Sequence, residues 1–189
     1  MEEEQIRKII KSKLSEERYY HSLCVAEQCE ILGNIYHIPI VEARKMALVH
    51  DMAKELSKEE KIQYALKNNI TVNAIEQVKP SLLHGKIAAD MAKKEFNFTE
   101  EMCNAIACHT TGKEKMTLLD KILFVADAIG KDRQWQGIEN VRQLAKENIN
   151  KTVLYLLDMT IKEKLERKEL IHPDSILARN SIIMILDKI

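Results

Sequence analysis

The sequence predicts an all-α fold, and three observations carry that class. Five glycines and three prolines in 189 residues leave little material for turns, and the abundance of Leu, Ile, Ala, Lys and Glu favours helices over hairpins. Apolar residues recur at three- and four-residue intervals along most of the chain. No Asn-Gly or Asp-Gly pair separates alternating runs, so a sheet has little support.

In order, a first helix is expected over about Glu2–Leu14, with Ile6, Ile9, Ile10 and Leu14 as its buried stripe. Ser15 can cap a second, which carries Arg18 and His21 on one face and stops near Gly33. Pro39 precedes a third, from about Val41 to Lys54, with His50 and Asp51 near its end. Ser57-Lys58-Glu59-Glu60 is a capping-box pattern opening a helix to about Asn68. From Asn69 to Pro80 the pattern weakens to a short helix or loop, read as part of an entrance to the site. Ser81 can cap a helix from Leu82 to near Asn97, which puts His84 in a first turn, where backbone N–H groups favour phosphate. Thr99-Glu100-Glu101 opens the next, ending at His109-Thr110-Thr111-Gly112. Thr117 to Asp120 starts a strongly apolar helix through Ala126. Two further amphipathic patterns cover about Ile138–Lys168 and about Ser175–Lys188, separated by a break that Pro173 forces.

The size and the 46% hydrophobic content suit one core, so residues 1–189 are read as one domain, with 15–135 carrying the site and 137–189 supplying C-terminal helices. Formal net charge is zero, from 29 basic and 29 acidic residues, which argues against a nucleic-acid partner. No run approaches the roughly 18 apolar residues of a membrane span, and the opening MEEEQ lacks an apolar signal region, so a cytoplasmic location and no membrane partner are expected. Cys24, Cys29, Cys103 and Cys108 form no CxxC and are read as core thiols of a reducing compartment.

Chemistry concentrates in a few places. His50 and Asp51 lie about 100° apart on a helix, yet both can lean onto an ion in the groove beside it, and Lys54 follows them by four and three on the same side. A soft imidazole, a hard carboxylate and a nearby cation suit a metal that holds an anionic substrate. Taken alone, the pair is more commonly that of a capped surface helix. His109-Thr110-Thr111-Gly112 offers an imidazole, hydroxyls and backbone N–H groups to one small anion, and is also what a histidine C-cap with a glycine turn looks like. Asp127, inside an apolar helix, needs a metal, an arginine or a helix end to offset its desolvation, and Arg133 is the nearest candidate. Leu170-Ile171-His172-Pro173-Asp174-Ser175 either folds over the mouth of the site to contact a base or is a plain interhelical turn.

The ordered set His21, His50-Asp51, His84, His109 and Asp127 resembles the HD-domain metal phosphohydrolases, all-helical enzymes whose ligands come in the order H…HD…D. The stretches Arg18-x-x-His21-Ser22-Leu23, His50-Asp51-Met52-Ala53-Lys54, Leu83-His84-Gly85, His109-Thr110-Thr111-Gly112, Ala126-Asp127 and Asp132-Arg133 are similar to the bacterial YqeK family of symmetrical diadenosine tetraphosphate hydrolases, over about Arg18 to Pro173. The family usually has an acidic residue and a proline after the Ala-Asp segment, where this chain has Gly130-Lys131.

That resemblance implies a divalent metal, iron in the family, held by His21, His50, Asp51 and Asp127; the donor set alone accepts iron, manganese or another divalent ion. It places His84 and His109 on the phosphate side and leaves a second ion there open. The catalytic assignment is Asp51, Lys54, His84 and His109. Substrate contact is expected from Arg18, His21, Asp51, Met52, Ala53, Lys54, His84, His109, Thr110, Asp127 and Arg133, with Leu170, Ile171, His172, Pro173, Asp174 and Ser175 at the adenosine. The implied partners are a dinucleoside polyphosphate and its ADP product; a homodimer is left open. Two other readings stand beside it: an HD hydrolase acting on guanosine tetraphosphate or a nucleoside monophosphate, and a non-catalytic nucleotide-binding helical module. The lack of a GYP motif after the HD helix weakens a cyclic-dinucleotide substrate.

Overall fold

A computed structural model describes residues 1–187, and among them there is no strand. The helices are α1 (Glu3–Lys13), α2 (Glu16–Tyr36), α3 (Ile40–Val49), α4 (Lys58–Lys67), α5 (Ala74–Val78), a 3₁₀ turn (Pro80–Leu83), α6 (His84–Phe96), α7 (Glu100–Cys108), α8 (Leu118–Ile129), α9 (Ile138–Glu147), α10 (Ile149–Glu166) and α11 (Pro173–Asp187). The all-α expectation holds. Lys188, the expected end of the last helix, lies outside the described residues.

Capping chemistry starts many of these helices where the sequence places it. Ser15 and Thr99 accept hydrogen bonds from the amides of Arg18 and Met102, while Ser57-Glu60 and Thr117-Asp120 form reciprocal capping boxes. Several expected boundaries move, among them the end of α3, expected at about Lys54 and found at Val49. α2 runs past Gly33 to Tyr36, because His37 takes the left-handed position (φ 56°) that ends it. Ser81 sits inside the 3₁₀ turn and caps nothing. The pattern from Ile138 to Lys168 is two helices, broken where extended Asn148 turns its side chain onto the amide of Lys151. Pro173 begins α11, since a missing N–H costs nothing at a helix's first position.

α2 is the central post, packed by α3 and by α8. It therefore buries Cys24, Val25, Ala26, Cys29 and Leu32 on more than one face. α8 is likewise buried nearly all round from Leu119 to Ala126. α6 packs on α7, α7 on α8, and α10 on α8 and α11. One continuous apolar cluster runs from Ile6 to Ile182. The four cysteines are free and buried within this frame. None of the described helices is long and apolar enough to cross a membrane.

Candidate metal centre

The His-Asp pair lies just where α3 stops. Val49 is the last α-helical residue, and His50, its C-cap, opens tight turns over residues 50–55 that put both side chains on the groove facing α2, α6, α7 and α8. Lys61, buried on α4, donates to the carbonyls of Lys54 (2.9 Å) and Leu56 and so ties this turn down.

Four imidazoles stand in a row: His84 to His109 and His109 to His50 are each 4.9 Å between ring centroids, and His50 to His21 is 5.3 Å. All four are at most 4% exposed. In three of them Nδ1 donates to the carbonyl three residues back: His50 to Ala47 (2.6 Å), His84 to Ser81 (2.7 Å) and His109 to Ile106 (2.7 Å). Because those acceptors are carbonyls, Nδ1 carries the proton and Nε2 presents a lone pair. His21 achieves the same orientation through Asp132, whose Oδ2 lies 2.7 Å from its Nδ1. The sequence motif contained Asp132 without a role for it.

At one end of the row, His21 Nε2 lies 3.0 Å from Asp127 Oδ1 and 4.0 Å from Asp51 Oδ2, and His50 Nε2 lies 3.8 Å from Asp51 Oδ2 and 4.0 Å from Asp127 Oδ1. Ligands at about 2.1 Å from one ion are about 3 to 4 Å apart, so these spacings match a shared coordination sphere. His50 Nε2 and Asp51 Oδ1 are buried with no hydrogen-bond partner, and such orphans are what a cation would satisfy. Two sets of donors converge closely enough for an ion: His21, His50 and Asp127, and His50, Asp51 and His109. The donor set fits a divalent metal.

Asp51 is the hinge between the two ends. Its Oδ2 accepts from Arg18 Nη1 (3.1 Å), while Oδ1 faces His84 Nε2 (3.2 Å), Lys54 Nζ (3.5 Å) and His109 Nε2 (3.6 Å). Lys54 Nζ also donates to His84 Nε2 (3.1 Å), where Thr110 Oγ1 approaches at 3.3 Å. Asp127 accepts from Arg133 Nη2 at 2.6 Å, so the arginine proposed from the sequence is its partner. Arg133 Nε fixes the backbone of the same residue (2.9 Å).

These contacts set the charge states of the metal-free site. Burial pushes His50 and His84 down to about 4, against the pull of Asp51. Burial also acts first on Asp51 and Asp127, raising them, but facing imidazoles outweigh it and hold both carboxyls well below their usual range. For His21 burial is opposed by Asp127 and Asp132, and its pKa ends raised.

Gly85 explains how the row closes. A Cβ there would stand 2.9 Å from the Ala107 carbonyl and 3.0 Å from that of Ile106, so only glycine lets α6 press against α7. The approach brings His84 Nε2 within 3.1 Å of His109 Nε2.

Other expected contacts divide. Met52 and Ala53 are turned into the core, Ala53 with no exposed surface, so packing removes Ala53 from substrate contact. The Gly112 N–H is committed to the Cys108 carbonyl (2.8 Å) in a left-handed turn (φ 68°) and the Thr111 hydroxyl donates to the Gly112 carbonyl (3.0 Å), so of that stretch only His109 and the Thr110 hydroxyl reach the imidazole row. Leu170, Ile171, His172 and Ser175 line a cleft of about 190 Å³ with Lys79, Ser81 and Thr110, whereas Pro173 and Asp174 do not line it. His172 is tied there to Asn73 Nδ2 (2.8 Å), which joins the 69–80 segment to this cleft.

Residues 18–132 match the HD domain. The chain belongs to the HD-domain family. Divalent-metal binding comes with that family, and the His/Asp groups above are of the kind that hold such an ion. Among relatives, a protein of Halalkalibacterium halodurans named bis(5'-nucleosyl)-tetraphosphatase, symmetrical, is 32% identical over 93% of this chain and 94% of its own. One of Bacillus subtilis with the same name is 28% identical over 97% and 98%. A solved structure from Clostridium acetobutylicum, described as a predicted HD superfamily hydrolase involved in NAD metabolism, superposes with a TM-score of 0.92 at 35% identity, covering 95% of this chain and 96% of that one. The HD match spans His21, His50-Asp51 and Asp127, together with His84 and His109.

Proposed function

We propose that the protein is a cytoplasmic, metal-dependent hydrolase that cuts diadenosine tetraphosphate symmetrically into two ADP, its whole chain acting as one domain. The reading rests on the nearness of the His21 and His50 imidazoles to both the Asp51 and the Asp127 carboxylates, beside a cationic rim, in a chain whose relatives above carry the tetraphosphatase name over nearly their full length. Those four residues would hold the ion, which we take to be iron. A bound divalent ion supplies Lewis acidity toward a phosphoryl oxygen and toward water.

The side chains supply the rest. Asp51 orients the attacking water toward a central phosphorus. A new P–O bond forms as the central anhydride P–O bond breaks, and the water proton passes to the Nε2 of His84 or His109. Lys54, Arg18, Arg133 and Thr110 neutralise charge that grows on the departing ADP. The cleft at Leu170, Ile171, His172 and Ser175 takes an adenosine.

A two-ion site is a second reading, favoured by one observation. His84 and His109 each present an Nε2 lone pair, yet these atoms are 3.1 Å apart with Asp51 Oδ1 beside them, an arrangement that a cation relieves. Counting metal per chain separates one ion from two.

Purified, metal-loaded protein given diadenosine tetraphosphate is expected to yield ADP alone by chromatography; ATP with AMP rejects symmetrical cleavage. Asp51→Ala is expected to abolish turnover, and wild-type activity in that variant would reject the assignment.

A further inference from the structure

The imidazole row has a cavity at each end, and the two are chemically unlike. Next to the His84 end, reached through Ser81 and Thr110, which both touch His84, lies the cleft of about 190 Å³, whose walls include Leu82, Ile161, Leu170 and Ile171. The His21 end opens on a basin of about 410 Å³ lined by His21 itself, the cations Arg18, Lys131 and Arg133, the carboxylates Glu17 and Asp132, and Tyr20 and Gln134, with no aliphatic side chain. Among the described residues, Arg18 commits only Nη1 to a protein partner, and Arg133 leaves Nη1 without one. Lys131 stands at the rim, about half-exposed and paired with an equally exposed Glu27, a partner that solvent or a phosphate readily replaces.

Resting on the reaction proposed above, we infer that the two halves of the substrate occupy unlike half-sites. The cleft at the His84 end takes one nucleoside by its apolar walls. The basin at the His21 end grips the other nucleoside diphosphate through its phosphates, with the unused guanidinium N–H groups and the Lys131 ammonium as donors. With the ion-binding residues between the two, each side accommodates two phosphates of a tetraphosphate. Cleavage then falls on the central anhydride by position. Because the basin holds no apolar walls to enclose a base and offers mainly charged side chains, the second base is weakly read, and a mixed adenosine–guanosine tetraphosphate is cleaved into ADP and GDP.

Calorimetry of the metal-loaded protein with ADP is the test. Two ADP per chain of unequal affinity are expected, and Lys131→Glu is expected to weaken the weaker one by about fivefold or more. The same variant raises KM for diadenosine tetraphosphate by a similar factor and lowers kcat less. Ile171→Asp is expected to weaken the tighter ADP instead. A single ADP per chain, or two whose affinities Lys131→Glu leaves alone, overturns the inference. The count is read without turnover, so protein that binds two ADP yet leaves diadenosine tetraphosphate intact would overturn the proposed reaction and not the half-sites.

Discussion

Asp132→Ala probes the metal centre through a residue that does not itself converge on the ion position. Asp132 touches His21 Nδ1 at 2.7 Å, with side-chain exposures of 16% and 5%, so little water is at hand to replace the lost acceptor. Without it the His21 ring loses both its orientation and the negative charge that makes Nε2 a stronger donor. Removing such an outer partner weakens metal binding by about 10- to 100-fold, or about 1.4 to 2.7 kcal/mol. Asp132→Asn keeps an acceptor but not the charge, and falls between alanine and wild type. Competition for the ion against a chelator of known affinity measures both variants. An alanine variant that holds metal as tightly as wild type would show that His21 is oriented by its packing alone, and the reasoning would fail.

Two further outcomes follow from the same contacts. Gly85→Ala should cost about 1 to 3 kcal/mol, because its Cβ must push α6 from the α7 carbonyls 2.9 and 3.0 Å away; an unchanged urea midpoint refutes the close approach. Chelator-treated protein should lose stability as pH falls from about 6.5 to about 4. His50 and His84 are held near 4 in the fold, so over that window the unfolded chain binds protons that the folded one refuses, at about 1.4 kcal/mol per pH unit for each. His21 acts with the opposite sign, since its pKa is raised and its contribution is present at low pH and lost as pH rises. That loss lies above pH 6.5 and so offsets nothing within the window, and a thermal midpoint that stays flat or rises as pH falls from about 6.5 to about 4 contradicts the reasoning.

Much of the site was legible because its signals are local. Asp127 could be marked as needing a partner from its apolar neighbours alone, and Arg133 six residues on proved to be that partner. The Lys54 spacing likewise put its ammonium 3.5 Å from Asp51. Boundaries were less legible where no breaker marks them: Asn148 splits a continuous amphipathic pattern, and His37 rather than Gly33 ends α2. Ala53 was expected at the substrate only as part of the stretch His50-Asp51-Met52-Ala53-Lys54, and the fold turns it inward.

The residues themselves determined the helical class and most caps, since periodicity and side-chain oxygens at helix starts act over a few residues, while the candidate ligands came from the resemblance that the ordered motifs carry. Tertiary structure decided how the ligands are aimed. Asp132 meets His21 across 111 positions, α6 meets α7 at Gly85, and two unlike cavities open at the ends of one imidazole row. Those relations depend on which helix faces pack, and packing is settled by the whole core at once, so no short stretch of sequence contains it.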